Sequence, residues 1–366
     1  MDKHRNIVFP FAGRSVAALL VVIMACLLSG RPVAASGGVA DRPADELWLI
    51  DCRALTTVRS ATQNVGQSLR PWRFDQAHRK WQRVPQEEFL EAARIVMPTC
   101  VWVHGDRVDC DLSFQIGREV YQQLVCNHED EAPIRFVIWS WPTTQELRGR
   151  PLKDARIKAA RSDAAGYSLA WTLNELDPAA PVSLLGFSFG ARVVTGAVHV
   201  AAGGQLGGYG ISVPDNRSAL GYQVVLMAAA MDNNWLQPGR KHDQAIHRID
   251  QLLLLNNHQD WVLKRYHLLK CGNGCQALGY TGLSVPDSLA DRGDAVCQVN
   301  AGAYIGKLHR WAPYIYTEPL MNKTRKTALS PLAAPMEVTT NPESAPAVAK
   351  PSGDDVAATR AAGDQP

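Results

Sequence analysis

Pro181-Val182-Ser183-Leu184-Leu185-Gly186-Phe187-Ser188-Phe189-Gly190-Ala191-Arg192-Val193-Val194 is the stretch on which the fold of this chain turns. The apolar run Val182 to Leu185 reads as a buried strand, Gly186 to Gly190 as a tight turn, and Ala191 to Val200 as a helix. Strand, Gly-x-Ser-x-Gly turn and helix, in that order, form the context of a nucleophile elbow. Such a turn strains its serine and needs a glycine on either side, because a Cβ there would collide where strand and helix pass closely. The amide that follows the serine, on Phe189, then lies at a helix N-terminus. N–H groups there lack internal partners and can hold a developing oxyanion.

Outward from this turn, strands and helices alternate. Upstream, Glu46 to Ile50 reads as a first strand, Thr56 to Glu91 as hairpins or irregular structure, and Thr99 to Val103 as a buried strand running into His104-Gly105-Asp106-Arg107. A helix pattern covers Ser113 to Cys126, a strand Ile134 to Trp139, and a longer helix about Leu152 to Leu176. In that longer helix Ile157, Ala160, Ala164, Tyr167 and Trp171 make the apolar face, while Arg156, Lys158, Arg161 and Asp163 cover the other. Downstream come a glycine-rich loop from Gly203 to Gly210, strands at Val224 to Ala230 and Gln251 to Leu255, and a helix from Trp261 to Leu269. The predicted fold class is α/β, a doubly wound, mostly parallel sheet with helices on both faces. Ligands of such sheets bind beyond the carboxyl ends of the strands, where Ser188, His104 and Asp260 all fall.

A serine hydroxyl is a weak nucleophile at neutral pH. It needs a histidine to take its proton and a carboxylate to set that imidazole's tautomer. On elbows of this kind the chain order is serine, acid, histidine. Asp260, just past the strand Gln251 to Leu255, is the candidate acid, with Asp232 as its rival, and His309 is the candidate base. Asp260 is also placed to cap the helix that starts at Trp261. His258 and His267, which flank Asp260, read as structural. The His104-Gly105 turn supports the site's loop, and the amide of Asp106 is the second candidate oxyanion donor beside that of Phe189. This chemistry needs no metal and no organic cofactor.

The combination of Val103-His104-Gly105, Ser140-Trp141-Pro142 and the Gly186 to Gly190 elbow resembles the alpha/beta-hydrolases, in particular a poorly characterised bacterial group with the same elements in the same order. The likeness spans about residues 45 to 320. It implies an alpha/beta-hydrolase fold with Ser188 as nucleophile, Asp260 as acid and His309 as base. Phe187 stands where that group usually carries His, Phe189 where Met or Leu is common, and Asp106-Arg107 where Tyr-Asn is more usual. The expected substrate is a small-molecule or lipid ester. The alternative is a hydrolase-fold protein that no longer catalyses and serves as a binding or scaffold module at the cell envelope.

Composition bounds the rest. The 366 residues can bury a sizeable core, and the formal charge of +3 is accounted for by Lys3, Arg5, Arg14 and Arg31 against Asp2. Nothing in that balance points to nucleic acid. Residues 1 to 35 read as an export signal, with basic residues, an apolar run from Val16 to Leu28, and Val33-Ala34-Ala35 as the cleavage site. Lipid attachment at Cys26, or an uncleaved N-terminal membrane anchor, is the alternative. A periplasmic, extracellular or envelope location follows, in which most of Cys52, Cys100, Cys110, Cys126, Cys271, Cys275 and Cys297 are expected to pair, with Cys271–Cys275 as a local bridge. A zinc site on those two with His258 or His267 is the weaker reading. From Asn322 to the end the chain is rich in Ala, Pro, Thr and Ser and is expected to be a disordered tail.

Overall fold

The computed structural model describes residues 41–127, 132–212, 221–269, 275–283 and 295–329. The first described strand, β1 (Glu46–Asp51), leads through α1 (Val58–Ser68) to a hairpin of β2 (Arg70–Asp75) and β3 (Lys80–Arg83), then α2 (Gln86–Ala93). Thr57 caps α1 by accepting the Ser60 amide, and the Ser60 hydroxyl answers it by accepting the Thr57 amide. Thr56 to Glu91 is therefore two helices around one hairpin. The hairpin part of the expectation holds, but the two helices are hard to read from sequence because α1 is mostly polar and α2 is short and Glu-rich.

The βα units follow: β4 (Thr99–Val103), α3 (Cys110–Tyr121) with a π turn at Gln122–Cys126, β5 (Arg135–Ser140), α4 (Pro151–Glu175), β6 (Val182–Phe187), α5 (Gly190–Ala201) and β7 (Tyr222–Met227). Beyond these lie β8 (Ile249–Asn256) and β9 (Val296–Asn300). Among the described residues the nine strands form one sheet in the order β3-β2-β1-β5-β4-β6-β7-β8-β9. All neighbours are parallel except at the β1–β2 and β2–β3 pairs. The central strands β4, β5, β6 and β7 are buried at every residue, as a sheet covered on both faces demands, whereas edge strands β3 and β9 have no fully buried residue.

Strand order reverses at β4. The chain steps outward from β4 to β5, then crosses back over β4 to β6 and continues to β7 and β8. Right-handed crossovers on either side of such a reversal put α3 and α4 on opposite faces. The packing agrees: α3 lies on β5, while α5 lies on β4, β6 and β7 with α4 over it. The crevice of a doubly wound sheet opens where the order reverses, at the carboxyl ends of β4 and β6. Val103 and Phe187 end those strands, so His104 and Ser188 sit at the crevice.

Several expectations need correction. Lys158 is completely buried, because α4 is covered on its polar side as well, and its ammonium pairs with the equally buried Asp154. The helix expected from Trp261 is found at Leu263–Leu269, where it is a 3-10 helix. The chain stays folded past Asn322: helix Glu318–Ala328 lays Leu320, Met321 and Ala328 on the sheet, and the Ala328 carbonyl accepts the buried Ser183 hydroxyl. Residues from 330 onward, like the expected export signal, lie outside the described residues. Cys52, Cys100, Cys110, Cys126, Cys275 and Cys297 are free thiols, so the expected general pairing is not found among the described residues. Cys52 and Cys100 are fully buried and pack as small apolar side chains in the core. Cys271, the proposed partner of Cys275, is outside the described residues.

The close approach of α5 to β4 is the tightest point of the fold. A Cβ on Gly190 would lie 2.2 Å from the Val103 carbonyl oxygen and 2.8 Å from that of His104. Both neighbours are backbone and cannot step aside. Gly190→Ala is expected to cost about 3 kcal/mol or more, read as a fall in the urea midpoint or as loss of soluble protein. Gly149→Ala is not a comparable control, because its strain comes from a positive φ of 74° with open space around it.

Candidate active site

Ser188 has φ of 53°, a left-handed conformation that a side-chain-bearing residue rarely adopts. The turn around it leaves no alternative. A Cβ on Gly186 would fall 2.8 Å from the Gly190 carbonyl, and the Ser188 carbonyl is pinned by the amides of Ala191 and Ala230, each at 3.1 Å. The Ser188 amide donates to the Met227 carbonyl at 2.9 Å, fastening the turn to the end of β7. Backbone strain of this size persists where the surroundings over-determine it.

The structure brings together the three residues expected to act in series. Ser188 Oγ lies 2.8 Å from His309 Nε2, and His309 Nδ1 lies 2.7 Å from Asp260 Oδ2. Asp260 is completely buried, and its Oδ1 accepts the amides of Val262 and Leu263 at 2.8 and 2.9 Å. One carboxylate thus caps the 3-10 turn with one oxygen and faces the imidazole with the other. A carboxylate held this way keeps Nδ1 as the protonated nitrogen, leaving Nε2 free to accept from the serine.

Asp232, the rival acid, is engaged elsewhere: its Oδ1 accepts the Tyr266 hydroxyl at 2.7 Å. His258 and His267 are exposed, and His258 rests against the Tyr280 ring.

Sequence reasoning missed the residue that stitches the acid's loop to the base's loop. Asn257 is completely buried. Its Nδ2 donates to the Gly306 carbonyl at 2.8 Å and its Oδ1 accepts the Gln259 amide at 2.9 Å. The Trp261 amide reaches the Lys307 carbonyl, and Gln259 Nε2 reaches that of Gly302, both at 3.3 Å. These bonds hold the 257–261 and 302–309 loops at one spacing. Only a position three residues before Asp260 hinted at Asn257, and turn asparagines are common. Phe187 packs its ring 5.3 Å from the His309 ring and 5.9 Å from that of Tyr314, so it braces the imidazole. Phe189 lies under the Arg192 guanidinium.

The His104-Gly105 turn lies directly over the serine, since a Cβ on Gly105 would meet Phe187 Cδ1 at 2.9 Å and Ser188 Cβ at 3.1 Å. His104 is buried. Its Nδ1 donates to the Gly105 carbonyl at 2.9 Å, and its Nε2 accepts the Trp141 amide at 3.3 Å. Trp141 returns an indole N–H to the His104 carbonyl at 2.9 Å and stacks on the imidazole. Burial, assisted by the nearby Arg53 cation, pushes the His104 pKa down to about 3, so the ring is neutral and its tautomer is fixed by these bonds. At Asp106 the carboxyl turns back to accept the Arg107 amide at 2.8 Å, and Arg107 adopts φ of 59°. Burial raises the Asp106 pKa against the opposing cations of Lys158 and Arg107.

The assembled site can take a proton from Ser188 Oγ, hold an imidazolium against a carboxylate, and offer amides near the serine to a developing negative charge.

No protein-family model and no curated protein matches the chain. Among solved structures, esterase B from Lactobacillus rhamnosis in its C6-C4 SN3 inhibited form superposes with a TM-score of 0.36 and 14% sequence identity, covering 88% of this chain and 94% of that one. A further structure of that esterase gives 0.36 and 14% over 87% and 93%. A superposition that loose leaves the functional reading to the geometry at Ser188.

The depressed pKa of His104 has a stability consequence. The unfolded chain takes up a proton near pH 6.5 that the folded state refuses down to about pH 3. The folded form is therefore favoured fully above that window and loses about 1.4 kcal/mol per pH unit for this group as pH falls through it. Burial lowers the pKa of His242 and His199 too, which adds in the same direction. His104→Gln is expected to flatten the pH dependence of the urea-unfolding free energy below pH 6.5 by about one proton. An unchanged slope would show that His104 titrates normally in the folded state.

Proposed function

We propose that this protein is an exported serine hydrolase that cleaves a small-molecule or lipid ester through an acyl-enzyme on Ser188. The observation that carries the reading is the unbroken series Ser188 Oγ, His309, Asp260, with contacts of 2.8 and 2.7 Å. His309 Nε2 takes the hydroxyl proton as Oγ attacks the carbonyl, and Asp260 steadies the imidazolium. The amides of Phe189 and Asp106 receive the oxyanion, under a turn kept in place by His104 and Gly105. Collapse expels the alcohol, which leaves with the proton from His309, and water repeats the sequence on the acyl-enzyme. An ester fits better than a peptide, because an alcohol leaves readily whereas an amide needs stronger leaving-group protonation and positioning.

The scaffold reading calls for a Ser188 hydroxyl buried under Phe187 or Phe189, or for a His309 turned to solvent; Ser188 is 5% exposed, with its Oγ facing the His309 ring. The His309 side chain is 9% exposed and bonded on both nitrogens, which supports the enzyme.

Labelling with a fluorophosphonate probe tests the proposal. Wild-type protein is expected to label at one site, with Ser188→Ala abolishing labelling and His309→Ala slowing it by 10³-fold or more, to order of magnitude. Absence of labelling in folded wild-type protein would refute the hydrolase mechanism. Export is tested separately by the N-terminal sequence of protein recovered from outside the cytoplasm, with Ser36 expected as the first residue. A mature chain that retains residues 1 to 25 would exclude both cleavage near Ala35 and lipidation at Cys26.

A further inference from the structure

A buried cation sits four residues beyond the nucleophile. Arg192, on the first turn of α5, is 5% exposed. Its Nε donates to the Ala230 carbonyl at 2.7 Å and its Nη2 to the Tyr266 hydroxyl at 2.6 Å. The guanidinium also lies over the rings of Phe189, Trp235 and Tyr266, at 5.0, 4.8 and 5.6 Å from their centroids. The Tyr266 hydroxyl in turn donates a hydrogen bond to Asp232 Oδ1 at 2.7 Å. Burial and the Asp232 charge raise the Tyr266 pKa, so the phenol stays protonated and donates. A cation, a phenol and an anion thus form one buried series. A guanidinium removed from water is costly unless it is satisfied in this way.

Each partner of Arg192 belongs to a part of the candidate site. Ala230 is the residue whose amide holds the Ser188 carbonyl, so Arg192, by bonding the Ala230 carbonyl, fastens that same residue through its next peptide group. Phe189 carries a proposed oxyanion amide, and its ring is the floor of the guanidinium. Tyr266 lies on the 3-10 turn that Asp260 caps. We propose that Arg192, through Tyr266 and Asp232, is a positioning group that sets the nucleophile turn and the acid's turn in register, so that Ser188, His309 and Asp260 meet. The inference rests on the hydrolase reading for its kinetic consequence but not for its structural one.

Tyr266→Phe removes the bridging hydroxyl and keeps the ring. Tyr121→Phe is the control: it deletes another buried phenol–carboxylate bond, from Tyr121 to Asp45 at 2.9 Å, near the amino end of β1, away from the crevice. With p-nitrophenyl butyrate, Tyr266→Phe and Arg192→Lys are expected to lower kcat by roughly 10-fold or more with KM within about twofold, while Tyr121→Phe leaves kcat unchanged at similar loss of stability. The low-field proton resonance of the Asp260–His309 hydrogen bond reads the same alignment without any substrate. It is expected in wild type and in Tyr121→Phe, and shifted or lost in Tyr266→Phe. If Tyr266→Phe does not fold, Asp232→Asn takes its place, keeping an acceptor but removing the charge. Equal kcat in Tyr266→Phe and Tyr121→Phe, or a low-field proton unmoved in Tyr266→Phe, overturns the proposal. A wild type that shows the proton but neither turns over the ester nor takes the fluorophosphonate overturns the hydrolase reading alone.

Discussion

The contact between Gly190 and the carbonyls of Val103 and His104 is the constraint from which the candidate site follows. It brings the first turn of α5 onto the end of β4, and no side chain fits between. The chain must then reverse within five residues from Gly186 to Gly190, and the serine in the middle is driven to φ of 53°. The same approach lays the His104-Gly105 turn over Ser188. Nucleophile and covering loop are therefore products of one packing event, the meeting of two adjacent parallel strands at the point where strand order reverses.

Strain at the serine has to be met by rigidity around it. Three networks supply it. The Ser188 amide and carbonyl are both bonded, to Met227, Ala191 and Ala230. The neutral His104 ring, locked by Gly105 and Trp141, fixes the turn above. Asn257 ties the acid's loop to the base's loop from inside the protein. In each case the polar group is buried and paired, so loosening any one leaves a donor or acceptor unsatisfied at a cost of about 1–3 kcal/mol. Rigidity of the site and stability of the fold are thus enforced by the same bonds.

Much of this was legible in the order of residues, and the reason is local. The elbow is encoded within five residues and flanked by patterns of period two and 3.6, so strand, turn and helix could be read directly; β4, β5, β6 and β7 were found because continuous apolar runs mark strands buried on both faces. Edge strand β9 was not found, since Val296–Asn300 is half polar and looks like a loop. Lys158 reads as solvent-facing because charge on a helix usually means exposure; its spacing of four from Asp154 is visible in the chain, but the burial of both is not. Residues from Asn322 read as a polar tail because Asn322 to Thr327 carry no large apolar side chain, yet they continue the helix Glu318–Ala328, whose Leu320, Met321 and Ala328 are buried.

The choice between Asp260 and Asp232 shows why a site is harder to read than a fold. Both follow strands of the same sheet, β8 and β7, and both satisfy the order serine, acid, histidine. What separates them is what each must neutralise. Asp232 lies within reach of Tyr266 and, through it, of the buried Arg192, so turning Asp232 toward a histidine would deprive a guanidinium of its anion in a region closed to water. Asp260 caps a turn of its own. Its first oxygen is satisfied by two amides of the turn it caps, which leaves the second for an imidazole. Asp232 is thus joined through Tyr266 to the permanent charge of Arg192, on the helix that follows Ser188, and Asp260 is left to face the His309 imidazole.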